Sequence, residues 1–240
     1  MKKKIIITIC LLFSFTSYGQ STLSVSAPAI WSNVKVKNNW TPPTAPNYKE
    51  YLRGSAFGYG VSLNYSFQPK FIIKDKDLLI NVGIGYFKQR FDIRRPFDYS
   101  SPLEPVFYTD YYSYHCLQGV IGVTYNYPIG VNYSLSGNLS YSWLRSFQQD
   151  YTPTSNHGYG HLTQTNHNQI DFGRILILSI GINRNLGDRF SLGLNLLTPV
   201  YTRWRNDRIF RDNPSTFYHP SFSIGASISA TYHFKKKRQL

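Results

Sequence analysis

The stretch Leu117–Leu144 contains no Asp, Glu, Lys or Arg. A run without charge raises the question of a membrane, but Gln118, Asn126 and several serines make it too polar for a spanning helix. Its hydrophobic period is two, because from Tyr133 onward Tyr, Leu and Trp alternate with Ser and Asn. This pattern predicts two strands joined by a turn over residues 128–132. Each strand has the roughly 9–11 residues that a tilted β-strand needs to cross a bilayer.

The first residues of the chain predict export. Residues 2–4 are lysines, residues 5–15 are mainly apolar, and residues 17–19 read Ser-Tyr-Gly, with small residues at the two cleavage positions. This is the pattern of a secretory signal peptide over residues 1–19. Beyond it the chain has one cysteine, Cys116, so no internal disulfide is available, and we interpret this residue as a packed side chain.

Length and composition favour one exported barrel domain. The remaining residues fit a single domain of barrel size, and no segment reaches the 18 apolar residues of a spanning helix. The formal net charge is +14, with three of the lysines in the signal peptide. Because the chain carries an export signal, we do not expect nucleic acid as a partner.

Alternating apolar and polar residues recur along the whole chain. The connections between these segments alternate between long and short, which is the layout of bacterial outer-membrane barrels. We therefore predict an all-β fold, an eight-stranded antiparallel transmembrane up-and-down β-barrel over residues 20–234, with short periplasmic turns and long extracellular loops. A soluble β-sandwich is the alternative, but serine and glycine on the second face of most segments disfavour it. The predicted strands are 22–36, 55–68, 78–91, 117–127, 133–143, 169–183, 190–201 and 221–234.

The layout and the last predicted strand, which ends Tyr232-His-Phe234, resemble those of the small eight-stranded outer-membrane barrels of Gram-negative bacteria, the OmpA/OmpX-like superfamily. The resemblance implies folding by the barrel-assembly machinery, which reads an aromatic C-terminal signal. The basic tail over residues 235–240 departs from the family, whose members usually end at the aromatic residue. The superfamily includes adhesion proteins, lipid-modifying enzymes, small pores and subunits of larger machines, so the fold does not decide the function.

Two sets of residues are expected to contact the membrane. Aromatic side chains at the ends of the apolar faces predict interfacial girdles, and arginines near the strand tops predict contacts with lipopolysaccharide phosphates. A solvated basic loop is an open alternative for the arginines. The predicted girdle comprises Tyr65, Phe67, Tyr86, Tyr125, Tyr127, Tyr133, Tyr141, Trp143, Phe190, Tyr201, Tyr232 and Phe234. The lipopolysaccharide-contact candidates are Arg90, Arg94, Arg95, Arg203, Arg205, Arg208 and Arg211.

Catalytic and metal-binding candidates are few. His219-Pro-Ser221 would pair a base with a nucleophile on one strand face and resembles an element of outer-membrane lipid A deacylases. However, no Asp or Glu follows Ser221 to orient the histidine. The histidines at 157, 161 and 167 have irregular spacing in a polar loop, which is typical of a solvated loop rather than a metal site. We therefore predict no catalytic, cofactor or metal site.

Three functions remain open. The first is a non-enzymatic barrel with a structural or surface-interaction role, in contact with outer-membrane lipid and lipopolysaccharide. The second is an accessory subunit of a larger outer-membrane export, uptake or assembly complex, packed through the small residues Gly119, Gly137, Ala226 and Ala230. The third is a lipid A-modifying hydrolase. A lumen of mostly Ser, Gly, Asn and Thr leaves no room for a wide pore, since eight strands enclose a space that side chains fill.

Overall fold

The computed structural model describes residues 21–37, 53–68, 77–96, 107–154, 164–166, 172–206 and 216–234. The secondary structure of these residues is β throughout, and no helix among them is long and apolar enough to cross a membrane. Eight long strands and one short strand, β6, follow one another along the chain. They are β1 Ser21–Lys37, β2 Arg53–Phe67, β3 Leu78–Pro96, β4 Phe107–Pro128, β5 Tyr133–Thr154, β6 Gln164–Asn166, β7 Phe172–Asn185, β8 Phe190–Asn206 and β9 Thr216–His233.

The eight long strands close into an antiparallel barrel. The sheet order is β4-β3-β2-β1-β9-β8-β7-β5, and β4 also pairs with β5, so the sheet has no free edge among these strands. The closing seam joins the first and last strands, with Val25 opposite Ala230 and Ala29 opposite Ala226. Short β6 pairs only with residues 149–151 of β5. The predicted eight-stranded up-and-down barrel is confirmed.

The strands extend further than predicted on the loop side. Residues 92–96 and 107–110, which we expected to be loop, are the paired ends of β3 and β4. Likewise residues 145–154, expected to begin the longest loop, continue β5 opposite β4. β8 and β9 also gain residues 202–206 and 216–220. As a result β3, β4 and β5 are the longest strands, and residues 88–94 of β3 remain paired with β2.

Two short turns lie at the opposite end. Residues 129–132 join β4 to β5, and the backbone N–H of Ile129 donates to the carbonyl of Tyr133 at 3.0 Å. Residues 186–189 join β7 to β8, where Gly187 has a φ of +87°, a conformation that glycine adopts readily. Ser21 and Phe234 lie at this end too, since the Phe234 N–H donates to the Ser21 carbonyl. We call it the turn end and the opposite one the loop end.

Candidate functional site: the lumen and the outer rim

The half of the lumen nearer the turn end is a polar vestibule. A cavity of about 600 Å³ runs through it and reaches the turn end beside Asp77, Asn185 and His233. Its walls are mainly Ser, Thr and Asn side chains from the inward faces of the strands, as the sequence predicted. Asp77 and His233 are the ionisable side chains that line it, and both lie at its mouth.

Hydrogen bonds between neighbouring strands order the vestibule wall. Ser26 and Ser62 share a hydrogen bond of 2.7 Å across β1 and β2, and the Asn64 amide donates to both hydroxyls. The Asn138 amide donates to Thr124 at 2.7 Å across β4 and β5. Inward glycines make room for such amides. A Cβ on Gly83 would overlap the Asn64 oxygen, and one on Gly181 would overlap that of Asn195.

An apolar plug, which the alternating pattern does not predict, closes the lumen toward the loop end. Its largest members are aromatic, and the ring centroids of Phe91 and Trp204 lie 5.5 Å apart while those of Tyr114 and Trp204 lie 5.7 Å apart. A cavity of about 20 Å³ lies among the plug residues, room for about one water molecule. The plug consists of Ile30, Val34, Ala56, Phe87, Phe91, Ile93, Tyr112, Tyr114, Cys116, Leu144, Ile175, Ile177, Leu197 and Trp204.

The sequence contains two signals for this plug. On β7 the inward face carries Ile175 and Ile177, which pair with Ser142 and Ser140 of β5, so both faces of this β7 segment are apolar. On β8, Trp204 is 3% exposed and passes over Gly173, where a Cβ would approach the indole to 3.0 Å. Cys116 is fully buried among the plug residues, in line with the predicted packed role.

The outer wall is an apolar belt. On β7 the outward residues between Arg174 and Arg184 are all aliphatic. Leu178, Ile180 and Ile182 are exposed, and Leu176 is half-buried. Ten residues at about 3.3 Å each, tilted by about 40°, span about 25 Å along the barrel axis. This equals the height of the apolar band of outer-membrane barrels, about 25 Å. An apolar exterior around a polar interior is the reverse of a water-soluble protein, and the barrel is built to span a bilayer.

The predicted girdle residues lie on the outward face at both ends of the belt. Trp31, Phe57, Tyr59 and Phe222 are also exposed near the loop end and were not predicted. Neighbouring rings pack against one another, as in the stacked pair Tyr65–Phe67 at 5.8 Å. The predicted residues at the turn end are Tyr65, Phe67, Tyr125, Tyr127, Tyr133, Phe190, Tyr232 and Phe234. Those at the loop end are Tyr86, Tyr141, Trp143 and Tyr201.

The predicted arginines do not form one group. Arg203 is exposed directly above the belt on β8. Arg90 lies further out on β3, where its Nε is 2.7 Å from Asp92 Oδ1 and its guanidinium covers the ring of Tyr111 at 4.8 Å. Arg94, Arg95 and Arg205 lie in strands, with side chains outside the described part of the structure, and residues 208 and 211 lie outside it altogether.

Two exposed arginines at the upper edge of the belt were not predicted. Arg174 on β7 stands directly opposite Arg203 on β8. Arg174 also faces Trp143 on β5, and Arg145 lies two residues beyond that tryptophan on the same outward face. We call Arg145, Arg174 and Arg203 the arginine cluster. The sequence does not group these residues, because Arg145 falls in a predicted loop and Arg174 meets Arg203 only through the pairing of β7 with β8.

A second polar group, the rim network, lies on the outward face of β3, β4 and β5. The Tyr86 hydroxyl is 2.7 Å from His115 Nδ1, and His115 Nε2 is 3.4 Å from Asp150 Oδ2. The Gln148 amide donates to Asp150 Oδ1 at 3.2 Å, and the ring of Phe147 packs against Tyr86 and His115. A carboxylate, an imidazole and a hydroxyl in series are the elements of a nucleophilic relay. However, the two described cavities lie inside the barrel and neither touches this group, so it ties three strands together at the rim.

The hydrolase candidates lie at an irregular part of β9. Ser221 is the extra residue of a β-bulge, since Phe222 pairs with Asn33 and Pro220 with Val34. The side chains of His219 and Ser221 lie outside the described part of the structure, so their pairing stays a prediction. The three loop histidines at 157, 161 and 167 lie outside the described residues, as do residues 1–19 and 235–240. Among the residues that are described, no three His, Cys, Asp or Glu side chains are grouped to hold a metal ion.

No protein-family model matches the chain, and no curated protein matches it in sequence. Solved structures are similar in overall shape. The outer membrane protein OprG from Pseudomonas aeruginosa is 9% identical, with a TM-score of 0.48 over 90% of this chain and 96% of OprG. Ail, the attachment invasion locus protein of Yersinia pestis, is 14% identical, with a TM-score of 0.35 over 90% of this chain and 99% of Ail. The outer membrane protease OmpT from Escherichia coli is 10% identical, with a TM-score of 0.42 over 91% of this chain and 96% of OmpT.

These likenesses concern the barrel as a whole. The closed ring of eight antiparallel strands, the apolar belt and the turns at one end are features of the chain itself. In a bilayer core a β-sheet must be closed, because unpaired backbone groups have no partner there. The chain has the fold of the small eight-stranded outer-membrane β-barrels.

Proposed function

We propose that the chain is an outer-membrane barrel without catalytic activity, exported through residues 1–19, whose working surface is its outside rather than its lumen. The plug is the observation that carries this proposal. Phe91, Tyr114 and Trp204 fill the lumen at the loop end, and a cavity among the plug residues holds about 20 Å³. Solutes in the vestibule therefore meet a packed apolar layer instead of a channel, which supports a structural or surface-interaction role.

The outside of the barrel is suited to the outer leaflet. The girdle rings at both ends of the belt fit the two membrane interfaces. The turn end, where β1 begins and β9 ends, faces the periplasm. At the opposite boundary lie the lipopolysaccharide phosphates, the proposed ligands of the arginines predicted for contact. Guanidinium groups pair with phosphate through two parallel hydrogen bonds.

Above the belt, β3, β4 and β5 continue as a three-stranded wall of residues 88–96, 107–115 and 145–154. The wall stays joined to β2 through residues 88–94, and its inward side chains Phe91, Ile93 and Tyr112 belong to the plug. About ten residues at about 3.3 Å each carry it about 25 Å above the belt at a tilt of about 40°. Its outward face bears the Arg90–Asp92 ion pair, Tyr111 and the exposed ring of Phe147. This wall is the surface that we assign to interactions outside the cell.

A second candidate, the accessory subunit, is supported by the closing seam. Ala27, Ala29, Ala226 and Ala230 are outward small residues on β1 and β9, and Ala29 lies directly opposite Ala226. A neighbouring protein can approach the backbone closely there, as small residues allow in membranes. The predicted strip was partly wrong, however. Gly119 and Gly137 lie on β4 and β5, on another side of the barrel and far apart along it.

Two measurements on the full chain test these proposals. Reconstituted in planar bilayers, the barrel is expected to give no sustained single-channel current at moderate voltage, and a steady open channel would refute the sealed lumen. Extraction from native outer membranes in gentle detergent, followed by mass spectrometry, separates the two roles. A lone barrel with lipid supports the surface role, and a stoichiometric outer-membrane partner supports the accessory subunit. Loss of that partner on Ala226→Trp, but not on Gly137→Trp, would locate the contact at the seam.

A further inference from the structure

We infer that the β4–β5 turn, residues 129–132, inserts into the headgroup layer of the inner leaflet and anchors that side of the barrel in phospholipid. The inference goes beyond the proposed function, which places the turn end as a whole toward the periplasm. The short turns of outer-membrane barrels are expected on the periplasmic side. The apolar side chains of this turn and its short distance from the belt point to lipid instead of water.

The β4–β5 turn is apolar and carries no charge. Val131 is 94% exposed and Ile129 is 53% exposed, and both lie inside the stretch 117–144 that lacks Asp, Glu, Lys and Arg. The β7–β8 turn at the same end is different, since residues 186–189 include an aspartate and an arginine that are both exposed. Apolar surface is unfavourable in water, so Val131 is suited to lipid and Asp188 to the aqueous periplasm.

The apolar face of β4 continues from the belt into the turn without interruption. Tyr125 and Tyr127 are exposed girdle residues of β4, and Ile129 follows them at the same spacing of two residues. On the other side of the turn Tyr133 begins β5, where it pairs with Arg184 of β7. The turn therefore lies between girdle rings that fit the inner membrane interface.

The depth of the turn follows from its length. Residues 129–132 reverse the chain between Pro128 and Tyr133. The tip of the turn thus lies about two residues beyond Tyr133, or about 5 Å along the barrel axis at a tilt of about 40°. The headgroup layer of a bilayer adds about 5–7 Å to each side of the hydrocarbon core. With the Tyr133 ring at the edge of that core, the whole turn stays within the headgroup layer.

Backbone hydrogen bonds hold the turn in place. The Ile129 N–H donates to the Tyr133 carbonyl at 3.0 Å, and the Asn185 N–H of β7 donates to the Asn132 carbonyl at 2.7 Å. The second bond ties the turn to the neighbouring strand, so its apolar side chains are held in position before they meet lipid. A preordered element gives up less conformational freedom on binding than a mobile loop does.

The size of the apolar patch favours lipid over a protein partner. Full burial of a Val or Ile side chain removes about 60–120 Å² from solvent, so Ile129 and Val131 together offer about 120–240 Å². A stable protein interface takes about 800 Å² from each partner. Lipid sets no such minimum, because the headgroup layer surrounds the turn and is continuous with the lipid around the belt.

The experiment measures the depth of nitroxide spin labels on the full-length barrel in phospholipid nanodiscs, where both ends of the barrel meet the same solution. One label is attached at Val131→Cys, and the matched control label is attached at Asp188→Cys in the β7–β8 turn. Cys116 is fully buried and so protected from the labelling reagent. Relaxation of the label by oxygen, which concentrates in lipid, is compared with relaxation by a water-soluble nickel chelate. The oxygen-to-nickel ratio should be several times higher for the Val131→Cys label.

Equal nickel accessibility of the two labels would overturn the inference, since the β4–β5 turn would then lie in water. A Val131→Cys label shielded from both oxygen and nickel would also overturn it, because the turn would then contact a second barrel. A test without labels uses urea-induced unfolding in phospholipid vesicles. Ile129→Ser/Val131→Ser should lower the equilibrium constant for folding at least about tenfold, and Leu186→Ser in the β7–β8 turn should lower it less. An equal effect of the two variants would contradict the anchor.

Discussion

Replacing Trp204 with alanine removes the largest ring of the plug, and the effect on stability can be worked from its surroundings. Trp204 is 3% exposed and contacts the rings of Phe91 and Tyr114. A buried tryptophan removes about 150–250 Å² from solvent, which at about 25 cal/mol per Å² contributes about 4–6 kcal/mol. Substitutions of this size in packed cores cost about 3–5 kcal/mol. We therefore expect Trp204→Ala to lower the free energy of unfolding by about 3–5 kcal/mol.

Trp143 is the matched control, because it lies two residues from Arg145 on the outward face and is 47% exposed. The Trp143 ring packs against the ring of Tyr141, and an aromatic pair of this kind stabilises a fold by about 0.5–1.5 kcal/mol. Fluid detergent or lipid fills the space that Trp143→Ala leaves, so no cavity term is added. Trp143→Ala should therefore lower the free energy of unfolding by less than half as much as Trp204→Ala does.

The assay is urea-induced unfolding of the refolded barrel in detergent micelles, followed by circular dichroism so that the signal does not depend on the substituted tryptophan. The free energy of unfolding must fall with urea concentration at the same slope in each variant before the midpoints are compared. If Trp143→Ala is as destabilising as Trp204→Ala, the plug does not pack as described and the reasoning is wrong.

Three further predictions follow from the plug and the rim network. Gly173→Ala places a Cβ 3.0 Å from the Trp204 indole and should lower the free energy of unfolding by about 1–3 kcal/mol, as overpacking does; unchanged urea stability would contradict this. The double substitution Phe91→Ala/Trp204→Ala should give ion currents in planar bilayers that the wild type lacks, and a silent double variant would show that other groups seal the lumen. Tyr86→Phe removes the 2.7 Å hydrogen bond to His115 and should cost about 0.5–1.5 kcal/mol; a gain in stability in the same assay would argue against the rim network.

The belt was readable from the sequence because lipid and lumen impose opposite polarity on alternate residues. Segments such as Tyr133–Trp143 carry that signal over their full length, and their predicted faces match the structure. The signal ends at the rim, where water lies outside and the plug lies inside. On β4, Tyr112 and Tyr114 point inward while Tyr111 and His115 point outward, so hydrophobicity no longer alternates. The strand continues there through backbone pairing, so its end cannot be read from alternation alone.

The arginine cluster could not be predicted for a different reason. Arg145 and Arg203 are far apart in sequence, and they become neighbours only through Arg174 and the register of β5, β7 and β8. Two bulges near this edge, at residues 147 and 200, shift that register. A one-residue error in register would turn a side chain to the other face. The sequence gives the position of each arginine along the chain. Only the pairing of β5, β7 and β8 shows that these three arginines are neighbours.

The place of the plug also decides where a voltage across the membrane falls. Filled with water, the vestibule would carry the potential of the turn-side solution up to Gln118, which lines the vestibule next to Cys116 in the plug. The electric field would then be concentrated across the apolar plug instead of spreading over the thickness of the bilayer. A unit charge gains about 2.3 kcal/mol per 100 mV when it crosses the full potential. In this barrel it would gain nearly all of that within the plug.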